Sequence, residues 1–230
     1  DFYLSANNNT NIYAIYDENS TIKGNNLYIN EDAECGDLRV ISSIGSTERE
    51  ISSNSISIID NGSRCEHEGI DVVLWVDDNT TIFNNSITST GHSIDGSVIR
   101  LGSSNQLYNN TFNLESLVVG IWYVKAANLF DIGSNNHLYS NNITVDNVGH
   151  AFNIGGSDNK IYENNIISSA DGSQVCRWYC YETEDECCKY NGLHTAFNIG
   201  SGHSNIEIYQ NNFYGISENV ANINQSSASI

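Results

Sequence analysis

Hydrophobic and polar positions alternate along this chain in short runs, and nearly the same run returns again and again. Seven segments align on one pattern: an aliphatic residue, two variable residues, an Asn, a small polar residue or Asn, then a second apolar residue. They are TIKGNNL at Ile22, EISSNSI at Ile51, TIFNNSI at Ile82, QLYNNTF at Leu107, HLYSNNI at Leu138, KIYENNI at Ile161 and EIYQNNF at Ile208. The Asn is present in all seven copies, as Asn25, Asn54, Asn85, Asn110, Asn141, Asn164 and Asn211. A second run precedes each copy by five to eight residues, and one more follows the last. These runs are AIYD (14–17), SSIG (42–45), LWVD (74–77), IRLG (99–102), FDIG (130–133), FNIG (152–155), FNIG (197–200) and ANIN (221–224). Their third residues are Tyr16, Ile44, Val76, Leu101, Ile132, Ile154, Ile199 and Ile223, aliphatic in every copy but the first.

The alternation has period two, so each run predicts a strand with one face inward. No stretch carries the sustained i, i+3, i+4, i+7 stripe of a helix. Successive copies are 23 to 47 residues apart. Short strands repeating at that interval, with Gly- and Asn-rich turns between them, predict a solenoid of β coils. The shortest coil, 23 residues, suits three strands and three corners, and the longer ones let out loops at a corner. The expected fold is all-β: a single-stranded, right-handed parallel β-helix of about eight coils. It forms one domain over residues 1–230, with a Cys-rich insertion at about 171–195. The recurrent Asn has two expected roles. It can take the left-handed conformation of a corner. Its amide can also bond to the Asn of the next coil, forming a ladder that satisfies a buried polar side chain.

With the repeats in this form, the chain resembles the right-handed parallel β-helix families with N-x-I-x-x-N-x-I-type repeats, among them pectate-lyase-like and NosD-like proteins. The resemblance covers about residues 12–224. It implies the fold and is nearly silent on activity, because such folds carry lyases, hydrolases, tailspikes, adhesins and scaffolds.

Composition narrows the partners. The formal net charge is −19, the wrong sign for nucleic acid or for an anionic membrane surface. No apolar run approaches the ~20 residues of a transmembrane helix. Only 16% of residues are charged, and the bulk of the polar surface is Asn, Ser and Gly. The chain opens at Asp1 with no signal-like segment, and the expectation is a secreted, mature form whose leader has been removed. Six Cys, an even number gathered between the repeats, suit an oxidising, extracellular compartment. Cys35 and Cys65 hold matching loop positions in adjacent coils, an expected bridge. It would be worth roughly 3 kcal/mol in the loop-entropy account. Cys176, Cys180, Cys187 and Cys188 lie together in the insertion. Adjacent cysteines rarely bridge each other, so Cys187 and Cys188 are expected to pair with Cys176 and Cys180, in either order. Zinc is the rival reading, and the spacing does not match the usual C-x2-C pairs. Eight sequons, at Asn8, Asn19, Asn61, Asn79, Asn84, Asn109, Asn142 and Asn224, are candidates for N-glycosylation.

The outward columns hold the side chains that could carry chemistry. The outward residues of the second run read Ile15, Ser43, Trp75, Arg100, Asp131, Asn153, Asn198 and Asn222. Glycosidic chemistry needs paired carboxylates. This column offers one, beside an Arg, and predicts a cross-strand salt bridge. In the repeat itself Phe83, Tyr108, Tyr139, Tyr162 and Tyr209 form an outward aromatic stripe. Such a stripe either binds sugar rings or subunits, or stacks on itself beneath a loop. His92, His150 and His194 hold similar loop positions and read as loop histidines without a converging metal set. The acidic run 182–186 lacks the glycine and spacing of a calcium loop. No catalytic, metal or cofactor-binding residue is assigned.

Neither end of the chain reads as an amphipathic capping helix, and open solenoid ends invite head-to-tail stacking. The expected function is therefore a non-enzymatic structural protein of the cell exterior: a disulfide-stapled, glycosylated β-helix whose partner is itself, in a head-to-tail homopolymer. A carbohydrate-active enzyme or a carbohydrate-binding adhesin module, with a cell-surface or matrix polysaccharide as partner, is the alternative.

Overall fold

The structure, a computed structural model, describes residues 2–6, 12–18, 20–31, 38–45, 47–60, 72–91, 97–116, 128–145, 148–168, 174–176, 188–190 and 193–223. Those residues form no helix; they wind through three parallel sheets as a β solenoid. The first sheet has eight strands. It runs from Phe2–Ala6 and Asn26–Glu31 through the coils to Asn165–Ser168 and Asn212–Tyr214. The second, also of eight, runs from Ile12–Asp17 to Ile216–Ile223. The third has seven, from Ile22–Lys23 to Glu207–Tyr209. The chain visits the first, second and third sheets in that order on every turn.

Two of the three corners are tight, and the loops leave at the other. Between the second and third sheets, and between the third and first, a few residues suffice. The longer connections, such as 61–71, 117–127 and 169–192, all run from the first sheet to the second. In the last coil that corner shrinks to Gly215, at φ 77°. Most of the 23-to-47-residue variation therefore arises at one corner.

The inward side chains stack on like residues in neighbouring coils. The third sheet aligns Ile22, Ile51, Ile82, Leu107, Leu138, Ile161 and Ile208, as the sequence predicted. Each is 6% exposed or less. Burying one such side chain stabilises the fold by about 1.5–3 kcal/mol. On the second sheet Phe130, Phe152 and Phe197 stack face to face at 5.1 and 5.2 Å. Phe112 and Phe213 meet the two ends of that stack edge-on.

Two sequence expectations need correction here. On the second sheet the first two copies are shifted by one residue. Asp17 and Ser43, not Tyr16 and Ile44, align with Val76. The outward column therefore begins Tyr16, Ser42, Trp75 rather than Ile15, Ser43, Trp75. Alternation fixes register only within a strand, and the polar Asp17 and Ser43 occupy the positions that Val76, Leu101 and Ile132 hold in later coils. The second correction concerns the corner. The left-handed residue is not the recurrent Asn but its predecessor: Gly24, Ser53, Asn84, Asn109, Ser140, Glu163 and Gln210 all have φ between 54° and 68°.

Candidate functional site

With its backbone outside the left-handed region, the recurrent Asn does all its work through the amide. Asn141 is typical, at 1% exposure. Its Oδ1 accepts from the Asn110 backbone N–H and from Asn110 Nδ2, both at 3.0 Å. Its Nδ2 donates to Asn164 Oδ1 at 2.9 Å, to the Leu107 carbonyl one coil back at 2.9 Å, and to the Tyr139 carbonyl at 3.1 Å. The same rung joins Asn25 to Asn54, Asn54 to Asn85, Asn85 to Asn110 and Asn164 to Asn211. All seven predicted members are brought together in one ladder. Asn is the shortest side chain that carries an amide, with a carbonyl acceptor and a two-proton donor on separate atoms.

The ladder has a direction. In every rung the backbone N–H and Nδ2 of one coil donate to the Oδ1 of the coil that follows in sequence. One end of the solenoid thus offers an Asn acceptor at Asn25, and the other offers Asn donors at Asn211.

A second ladder stands at the corner between the second and third sheets, and the sequence reading missed it. The Asn105 N–H donates to Asn136 Oδ1, and the Asn136 N–H to Asn159 Oδ1, each at 2.9 Å. Their Nδ2 groups donate to the carbonyls of Asp77, Gly102 and Gly133. The signal was the Asn two residues before the aliphatic in NQLY, NHLY and NKIY. In the preceding coils Thr80 and Arg49 take the position. Arg49, 5% exposed, fills the corner with its guanidinium bonded to Ser43 Oγ at 2.7 Å and to the carbonyls of Gly45 and Asp78.

The aromatic stripe forms as expected: Phe83, Tyr108, Tyr139, Tyr162 and Tyr209 stack with centroids 4.9–5.2 Å apart and planes within 8°. The rings remain partly exposed, and Tyr209 is 43% exposed, so no loop among the described residues seals them. Burial, reinforced by the neighbouring phenols, raises the Tyr139 pKa; burial is also the main cause that raises Tyr162.

The outward column of the second sheet lines an open groove of about 350 Å³ with Trp75, Arg100, Asp131 and Asn153. Arg100 and Asp131 are register neighbours, yet the expected salt bridge does not form. Arg100 lies over the Trp75 ring at 5.3 Å. Asp131 instead accepts from Ser97 Oγ, from Asn128 Nδ2 at 3.0 Å and from Asn153 Nδ2 at 2.7 Å. Three neutral donors satisfy the carboxylate without a cation. The other carboxylates near the groove hold backbone N–H groups: Asp77 that of Gly45, Asp78 that of Ser103.

The remaining candidates divide by position. Asn79, Asn84, Asn109 and Asn142 are exposed, whereas Asn8, Asn19, Asn61 and Asn224 lie outside the described residues. So do Cys35, Cys65, Cys180, Cys187, His92 and the acidic run 182–186. In the insertion, Gln174–Cys176 pairs antiparallel with Cys188–Tyr190, with Cys176 opposite Cys188 in the backbone register. His150 stands opposite Thr195, so His194 does not share its column. Among the described residues no cluster of His, Cys, Asp and Glu suits a metal ion.

Compared with protein-family models, with curated proteins and with solved structures, the chain shows no significant match. Function must be argued from the geometry alone.

Proposed function

We propose that this protein is an extracellular structural subunit that stacks head to tail into a filament of continuous β-helix. The observation that carries the reading is the polarity of the Asn ladder. A copy stacked head to tail turns its acceptor end toward its neighbour's donor end and keeps the ladder's direction, whereas head-to-head stacking turns two like ends together. The core supports the same arrangement. Its partly buried apolar members are Ala14 and Ile15 at one end and Phe213, Ile216 and Ala221 at the other, the surface that end-to-end contact removes from water. A heterologous contact of this kind does not close on itself and gives an open fibre. The net charge of −19 repels the sides of neighbouring fibres. Disulfides in the loops and glycans at exposed sequons belong to the same proposal.

Negative-stain electron microscopy across protein and salt concentration tests it. Long unbranched fibres, thin as one solenoid, are the expected result; discrete monomers or a fixed small oligomer at every condition would refute the filament.

A second reading, a carbohydrate-binding module, is favoured by the groove, where an aromatic ring, a guanidinium with no ion pair among the described residues, and side-chain amides share one open surface. Binding to a panel of neutral and acidic polysaccharides, abolished by Trp75→Ala, would support it.

A further inference from the structure

The two most exposed aromatic side chains among the described residues, Tyr3 and Tyr214, lie at the two ends of one column. On the outer face of the first sheet, Tyr3 and Tyr28 begin the column and Tyr214 finishes it. They are 76%, 44% and 60% exposed. The five positions between them are Ser57, Thr88, Asn113, Thr144 and Ile167. Tyr3 and Tyr28 already stack, with centroids 5.0 Å apart and planes 12° from parallel. Tyr214 stands at the far end with a sheet edge beside it. An aromatic pair at one end and a matching ring at the other, with none between, is not what stabilising a single sheet requires.

Resting on the filament reading, we propose a specific joint: the Phe2–Ala6 strand of a second copy adds to Asn212–Tyr214 in the register that lays Tyr3 on Tyr214, extending the tyrosine stack across the interface. The register follows from the sheet itself. Every neighbouring pair in this column is parallel and in step. A slip of one residue would turn the outward ring inward and the apolar row outward. The same docking brings Ile12–Asp17 of the second copy against Ile216–Ile223 and covers Ile15 with Ala221, the two partly buried ends of one inward column. On the third sheet the order of strands leaves one strand's width between Glu207–Tyr209 and the next copy's Ile22–Lys23. The same gap separates Asn211 from the next copy's Asn25, so the ladder keeps its direction across the joint without a direct Asn–Asn bond.

The register sets the subunit spacing. Eight strands of the first sheet at about 4.8 Å each give an axial repeat of about 38 Å. The test combines that repeat, measured by fibre diffraction or helical reconstruction of wild-type filaments, with a crosslink. In the double variant Tyr3→Cys/Tyr214→Cys, mild oxidation of assembled filaments is expected to give a ladder of covalent multimers on non-reducing gels. Peptide mapping should place the new bond between positions 3 and 214, and each single variant should give none. Filaments with another repeat, or without that crosslink, would overturn the joint and leave end-to-end assembly standing. Absence of filaments at all conditions would overturn both. The wild-type repeat decides the matter even if the double variant fails to fold.

Discussion

Replacing one buried ladder residue, Asn141→Ala, removes five hydrogen bonds. Their loss is unequal. Asn110 Nδ2 keeps the carbonyls of Ile82 and Tyr108, and Asn164 Oδ1 keeps the Asn141 backbone N–H at 3.1 Å. The buried Asn110 N–H loses the acceptor it had, and the Leu107 carbonyl loses its side-chain donor. An orphaned buried group costs about 1–3 kcal/mol, and each other bond about 0.5–1.5 kcal/mol net. The sum is about 3–9 kcal/mol, a large share of the 5–15 kcal/mol that holds a typical domain together. The control is Asn25→Ala at the end of the ladder. Asn25 is half-buried and its side chain makes two bonds, to Asn54 Oδ1 and to the Lys23 carbonyl. Its own N–H still reaches Asn54 Oδ1 at 3.0 Å, so nothing is orphaned and the cost is about 1 kcal/mol or less. Urea denaturation with disulfides intact, followed by far-ultraviolet circular dichroism, measures both. Equal midpoint shifts for the two variants, or a shift for Asn141→Ala worth under about 1 kcal/mol, would refute the ladder as a source of stability.

Two further predictions test packing and protonation. A Cβ on Gly133 would sit 2.3 Å from the Gly102 carbonyl oxygen, whereas one on Gly155 would find its nearest neighbour, the Ile132 carbonyl oxygen, at 3.6 Å. Gly133→Ala should therefore cost about 1–3 kcal/mol and Gly155→Ala close to nothing, by the same denaturation assay. The raised pKa values of Tyr139 and Tyr162 mean that the folded state holds its phenol protons above the ordinary value near 10. Their contribution is complete below that value and falls as pH rises through the folded pKa values. Ultraviolet phenolate titration should show a late-titrating group of tyrosines that Tyr139→Phe reduces, and denaturation midpoints should drop above about pH 10.

The sequence by itself determined the solenoid, its coil boundaries and all seven members of the main ladder. The reason is chemical: a buried corner that must accept from one coil and donate to the next admits Asn and almost nothing else, so the requirement is written seven times. The aliphatic column of the third sheet is legible for the same kind of reason, since each position faces the core. What the tertiary structure decided has a weaker signature. The left-handed position preceding each rung constrains only backbone, and Gly, Ser, Asn, Glu and Gln all serve there, so composition does not mark it. The second ladder is shorter and gives way to Thr80 and the buried Arg49, which break its repeat. The one-residue shift at Asp17 and Ser43 was hidden because register between strands is set by their neighbours, not by their own alternation. Arg100 and Asp131 are adjacent in the column, as the sequence required, but a flat indole on one side and three neutral donors on the other drew them apart. Adjacency follows from the repeat; which contact forms depends on everything packed around it.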